Sequence, residues 1–244
     1  MVTPRLAGTV LVLRQEPRLQ VLMLRRQQAL RFMGGLWAFP GGAVDAAEAG
    51  SSGQAAPGAA PRIQAAALAS SRELHEEAQL RIPPSQLVHF AHWITPSGVA
   101  RRFDTHFFLG LAPAGQEPHA DPAETSDLAW MEPGQLAYRD LPVGDFPLSA
   151  PTQMVLRELD ECLQRHHSVP ALLSQARNTP ILPIMPKLLE GKLLVLPWAQ
   201  DYPGAPGEGI AWDRTSIAAR QGWPDRLPAP AHPPSGRSRA REMM

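Results

Sequence analysis

Apolar positions fall into two rhythms along the chain. Thr9–Arg14 and Leu19–Arg26 are runs rich in Val, Leu and Met, split by Gln15-Glu16-Pro17-Arg18, and predict two strands joined as a hairpin or lying side by side. Strands are also predicted over Gln86–Thr95 and Phe103–Leu111, and in the apolar run Leu128–Met131. His89 and His92 are three apart, so strand alternation sends them to opposite faces and a shared metal site is not expected there. Between the second and third strands the rhythm turns helical: Leu74 and Ala78, with Ala67 two turns back, form a narrow apolar stripe. A short helical piece is predicted from Glu132-Pro133-Gly134 to near Asp140. A longer one opens at Ser149-Ala150-Pro151 and carries Met154, Val155, Leu159 and Leu163 through to His166.

The other side of the first helix is acidic. Arg72–Leu80 reads R-E-L-H-E-E-A-Q-L, and the i, i+3, i+4 spacing sets Glu73, Glu76 and Glu77 on one arc. Like charges at this spacing cost a helix only about 0.2–0.5 kcal/mol per pair, so a solvated face screened by Arg72 explains the cluster as simply as function does. The functional reading is a site for a hard divalent cation such as Mg²⁺, which takes oxygen ligands from one or two carboxylates together with a substrate phosphate. The upstream sequence favours it. Phe39-Pro40-Gly41-Gly42 is a turn whose glycines allow close backbone approach, and Glu48 follows it.

Together these segments resemble the Nudix hydrolase signature, with Gly42, Glu48, Arg72, Glu73, Leu74, Glu76, Glu77 and Leu80 on its fixed positions. Two departures stand out. Between Glu48 and Arg72 lie 23 residues where the signature has seven, and the Ala, Gly, Ser and Pro content of residues 49–64 reads as a loop inserted ahead of the helix. Gln79 stands where the signature has Gly, at a helix end that commonly needs a left-handed residue. The resemblance implies an α/β fold, a Nudix α/β/α sandwich with a mixed β-sheet. It implies Mg²⁺ or Mn²⁺ held by Glu73, Glu76, Glu77 and Gly41, with Glu73, Glu76, Arg72 and Glu124 as catalytic residues. Arg72 is expected to orient a carboxylate. Glu124 lies six residues before Trp130 in the loop where many Nudix enzymes carry a further Glu; Glu117 and Asp121 are the runners-up.

Other residues narrow the resemblance. Arg31, Gly35 and Phe39-Pro40-Gly41-Gly42 match the end of a motif that marks coenzyme A diphosphatases, although Leu24 and Gln27 depart from its front. Trp93-Ile94-Thr95-Pro96, then Arg101-Arg102-Phe103-Asp104-Thr105-His106-Phe107-Phe108-Leu109, resembles the peroxisomal coenzyme A diphosphatase branch and its bacterial relatives, which also carry an insert in the Nudix box. Substrate contacts are accordingly expected from Arg25, Arg31, Gly35, Gly42 and Arg102, because a guanidinium fork suits phosphate. Ordinary charge at a strand end accounts for each arginine equally well, Arg26 and Arg101 included.

Composition adds limits. The 244 residues suit one catalytic domain with an extension: a Nudix domain over 1–168, a Pro-rich and apolar C-terminal extension over 169–223 packed on the domain or a partner subunit, and a loose end over 224–244. Equal counts of 23 basic and 23 acidic residues argue against a nucleic-acid surface. The single Cys162 excludes a disulfide framework and reads as packing, and the N-terminal apolar run is too short for a membrane span, so a cytoplasmic protein is expected. Homodimers are common in the family. The expected reaction is hydrolysis of a diphosphate in coenzyme A or an acyl derivative, giving 3′,5′-ADP and 4′-phosphopantetheine. ADP-ribose, dinucleotides or nucleoside triphosphates are the alternative substrates, and a non-catalytic ligand-binding module is the alternative class.

Overall fold

A computed structural model describes residues 2–30, 33–50, 60–138, 146–166, 168–189, 193–200, 202 and 223–228. The first apolar runs form β1 (Arg5–Gln15) and β2 (Leu19–Arg26), an antiparallel hairpin closed between Gln15 and Leu19. Short strands β3 (Trp37–Ala38) and β4 (Gly41–Ala43) pair with β2 and β1. Then come α1 (Ala46–Gly50), α2 (Pro61–Ala78), β5 (Val88–Ile94), β6 (Phe103–Leu111) and β7 (Thr125–Met131). The order β3-β2-β1-β6-β5, with β4 added on β1 and β7 on β2, makes one seven-stranded sheet. It is mixed because β1 and β6 run parallel while the other pairs are antiparallel.

β1 is apolar on both faces, and both are used. Val10 and Val12 pack with Ala66, Ala67, Leu74 and Ala78 of α2. Leu11 and Leu13 face the other way, into a cluster with Leu136 of α3 (Pro133–Ala137), Val155 and Leu159 of α4 (Ala150–His166) and Leu172 of α5 (Val169–Asn178). Helices therefore cover both faces of the sheet. α2 sits unusually close to β1: a Cβ on Gly8 would overlap the Ala66 carbonyl oxygen, to which Ser70 Oγ donates at 2.8 Å. No helix among the described residues is long and apolar enough to cross a membrane.

β5 departs from simple alternation. His89 lies opposite Phe108, but Ala91 lies opposite Phe107, so Phe90 is an inserted bulge residue. Phe90 and Ala91 both enter the core, and His89 and His92 consequently share the opposite face. This corrects the expectation that three-residue spacing separates them.

Beyond α5, β8 (Lys187–Leu189), β9 (Leu193–Val195) and β10 (Arg226–Pro228) form a small antiparallel sheet. Residues 226–228 thus pair with β9, although the sequence assigns them to a loose end. Arg31, the insert tip at 51–59 and residues 229–244 lie outside the described residues.

Candidate active site

The acidic face of α2 meets the glycine turn. The backbone N–H of Gly41 donates to Glu77 Oε2 at 3.0 Å, and Glu77 is buried. Arg26 Nη1 lies 3.5 Å from Glu77 Oε1, while the buried Nε of Arg26 has no partner among the described residues. Glu73 lies against Gly42, where a Cβ would overlap its carboxylate; a side chain at position 42 would displace the acid, so the position requires glycine. Burial pushes the Glu77 carboxyl up to about 7, opposed by the Gly41 N–H and reinforced by the charges of Glu73 and Glu124. Burial also raises Glu73, opposed by Arg72 and reinforced by Glu76 and Glu124. Glu73, Glu77 and Glu124 therefore feel one another.

Arg72 organises this face. It donates to Glu48 Oε1 at 2.8 Å, to Glu73 Oε1 and Glu76 Oε2 at 2.9 Å each, and to the Ala43 carbonyl at 3.2 Å. Glu48 is itself fixed by a reciprocal pair with Asp45, each backbone N–H donating to the other's carboxylate at 2.7–2.8 Å. Arg72 Nη1 is thus the cation that Glu73 and Glu76 now share. Glu76 is half exposed, and no three of the α2 acids bring donor atoms within 4.8 Å of one another among the described residues. The donor set, carboxylate oxygens throughout with the buried Glu77 among them, nevertheless fits a hard divalent cation in kind.

The loop before β7 closes the far side. His119 N–H donates to the Ala78 carbonyl at 2.9 Å and Asp121 N–H to the Glu77 carbonyl at 3.2 Å, so the last carbonyls of α2 are satisfied by this loop. Gln27 N–H holds the Glu124 carbonyl at 2.8 Å. These ties set Glu124 beside the α2 acids, and its carboxylate makes no hydrogen bond among the described residues. Asp121 uses its carboxylate on the Ala123 N–H of its own turn, and among the described residues nothing links Glu117 to the acids.

The other expected contacts divide. Arg25 Nε reaches the Gly35 carbonyl at 3.4 Å, which ties it to the turn before β3. Gly35 has φ +78°, a backbone state suited to glycine. Arg102 is buried and donates to the Thr95 carbonyl at 3.0 Å and the Val2 carbonyl at 2.8 Å. In the sequence Glu48 holds a signature position without a stated role, and Arg26 carries no mark that separates it from Arg25. The signal for both was their flanking of the glycine turn.

A family model described as the NUDIX domain matches residues 4–150, more than half of the chain. The chain belongs to the NUDIX family. It is a Nudix hydrolase, a pyrophosphohydrolase of diphosphate linkages. The fold is similar to that of a NUDIX hydrolase from Alicyclobacillus acidocaldarius, with 24% identity, a TM-score of 0.61, and 73% of this chain and 97% of that one covered. It is also similar to a MutT/nudix family protein from Enterococcus faecalis, with 15% identity, a TM-score of 0.53, and 72% and 68% covered. At these identities the likeness is one of fold. No curated protein matches the chain. Nudix hydrolases typically depend on a divalent metal, and the acids gathered at the Gly41-Gly42 turn are the groups of this chain suited to one.

Proposed function

We propose that this Nudix hydrolase cleaves the diphosphate of coenzyme A or an acyl derivative, using Mg²⁺ or Mn²⁺ held by Glu73, Glu76 and Glu77 at the Gly41-Gly42 turn. The observation that carries the hydrolytic part is the seating of Glu77 on the Gly41 N–H and of Glu73 against Gly42, which brings the acidic face of α2 onto that turn. Arg31, Gly35 and the turn, together with the Trp93–Pro96 and Arg101–Leu109 segments, carry the choice of coenzyme A through their resemblance to that branch. In the same reading residues 1–168 form the catalytic domain, with 49–64 inserted in the signature and 169–223 an extension.

The bound cation supplies charge neutralisation at the diphosphate and a lowered pKa for a coordinated water. The residues divide the remaining work. Arg72 is a positioning residue that holds Glu73 and Glu76 in register with Glu48. Glu73, Glu76 and Glu77 each already have a cationic or N–H partner, whereas the Glu124 carboxylate has none among the described residues. Glu124 is therefore the group assigned to take the proton from the attacking water. Water oxygen bonds to one phosphorus, the bridging P–O bond breaks, and 3′,5′-ADP and (acyl-)4′-phosphopantetheine leave. Arg26, with a buried Nε unused, is suited to steady a phosphate oxygen alongside Arg25.

The test is product analysis of the full chain with coenzyme A, acyl-coenzyme A, ADP-ribose, a dinucleotide and a nucleoside triphosphate, each with Mg²⁺ and Mn²⁺. The highest kcat/KM is expected for coenzyme A or its acyl form. A clear preference for ADP-ribose, a dinucleotide or a triphosphate overturns the substrate assignment but not the site. Glu76→Gln and Glu77→Gln should lower turnover roughly 10²–10⁴-fold with the fold retained. Near-normal metal-dependent turnover in both removes the site as well.

A further inference from the structure

A second set of ligand-type side chains lies on the other flank of α2. The Phe90 bulge turns His89 and His92 to one face of the sheet, and β6 contributes Asp104 and His106, two apart, to that same face. One nitrogen each from His92 and His106 and one oxygen from Asp104 lie within 4.8 Å of one another. His92 Nε2 hydrogen-bonds Asp104 Oδ1, and His106 Nε2 stands 4.0 Å from the same oxygen. The His92 and His106 rings are stacked with centroids 4.0 Å apart and planes at 18°, so both present Nε2 toward Oδ1.

We propose that His92, Asp104 and His106 form a second cation site, one that takes a borderline first-row divalent ion of the Zn²⁺ class. Two imidazoles and a carboxylate suit Zn²⁺ or Co²⁺, whereas Mg²⁺ takes oxygen ligands and belongs with the α2 acids. The surroundings are those of a ligand set with its outer partners in place. His89 Nε2 lies 3.0 Å from His106 Nδ1; with the proton on Nδ1 donated to His89, the lone pair of His106 Nε2 is left facing Asp104. Arg62 holds Asp104 Oδ2, leaving Oδ1 to the imidazoles. The side chains of His92 and Asp104 remain 14% and 13% exposed, which leaves the site a path to solvent.

This site is separate from the acids. Gly42 on β4 and His106 on β6 flank Gly8 of β1 on opposite sides, and Ala66 and Ser70 of α2 stand over Gly8 between them. A cation here ties the outer strand β5 to β6, and through Arg62 to the first turn of α2.

The experiment uses the full chain, stripped of metal and titrated with Co²⁺ in a large excess of Mg²⁺, followed by visible absorption. One equivalent with nitrogen and oxygen ligand bands, displaced by Zn²⁺, is expected, together with a rise in the thermal midpoint. Asp104→Asn and His92→Gln should abolish the bands, while Glu76→Gln with Glu77→Gln should leave them. His89→Phe, which keeps a ring against Phe108, should weaken Co²⁺ binding roughly 10–100-fold. Should a variant fail to fold, ¹⁵N spectra of the unaltered chain decide the matter, since Zn²⁺ must shift Nε2 of His92 and His106. Absence of these shifts, bands that survive in both His92→Gln and Asp104→Asn, or bands lost with the glutamates each overturn the proposal. The glutamate variants separate its failure from that of the hydrolytic reading.

Discussion

Glu77 is buried among groups that oppose its ionisation, and its stability contribution follows from that. Its carboxyl is raised to about 7 by burial first, with Glu73 and Glu124 adding to it and the Gly41 N–H and Arg26 working against it. The folded state therefore keeps this proton to a higher pH than the unfolded chain, so ν in the unfolded state is the smaller between about 4.5 and about 7, and stability falls as pH rises through that window. At about 1.4 kcal/mol per pKa unit the loss in metal-free protein is at most roughly 3.5 kcal/mol. Thermal unfolding in chelator should show the midpoint declining across this range, and Glu77→Gln should flatten the decline; an equal slope in the variant would place the titrating group elsewhere. At this scale much was legible. The shared arc of Glu73, Glu76 and Glu77, and the place of Arg72 beside it, could be read from nine consecutive letters. The assignment of Arg102 could not, because the carbonyls of Thr95 and Val2 that hold it come from segments 7 and 100 residues away.

At the scale of elements, α2 ends in a left-handed turn that the sequence marks only in part. Its end at Gln79 adopts φ +57°, with the Gln79 N–H donating to the His75 carbonyl at 3.0 Å, so the left-handed residue that the signature supplies as glycine is present here in a residue with a side chain. An L-residue in that region carries a steric cost of roughly 1–2 kcal/mol, partly offset by the larger unfolded-state entropy of glycine. Gln79→Gly should therefore stabilise the protein by roughly 0.5–1 kcal/mol in denaturant unfolding, with kcat unchanged; a destabilised variant would mean that the Gln79 side chain contributes packing that outweighs the backbone. The strands from Leu19 to Arg26 and from Phe103 to Leu111 were readable to the residue because alternation or a continuous apolar run marks them. The β5 bulge was not, since Phe90 is as apolar as the core positions around it and nothing in V-H-F-A-H-W marks one letter as inserted. That single unread residue reverses the orientation of His92, and with it the chemistry of the face.

The whole molecule depends on chain that lies beyond the matched family domain. Ile184 exchanges backbone hydrogen bonds with β5, its N–H donating to the His92 carbonyl and its carbonyl accepting from Ile94 N–H at 2.8 Å each, and so covers a sheet edge that would otherwise be open. Leu194, Leu196, Trp198, Trp223 and Leu227 enter the same apolar cluster as β1, β5 and α4. Local pattern announces that such apolar residues need burial but not which surface they bury against, because these contacts join positions far apart in the chain. Trp223 shows how tightly they are joined: its Nε1–H lies 2.8–2.9 Å from both carboxylate oxygens of Glu161, its ring meets Trp198 edge-on at 5.6 Å, and Trp198 Nε1–H in turn donates to the Pro224 carbonyl at 3.0 Å. Removing the ring would leave a cavity beside Trp198 and the Glu161 carboxylate without that donor, so Trp223→Ala is expected to cost roughly 3–5 kcal/mol in equilibrium unfolding. Below the transition its kcat should match that of the unaltered chain, because Trp223 belongs to the helical layer opposite α2 and the glycine turn. A loss of activity without a loss of stability would instead place the C-terminal stretch in the catalytic machinery.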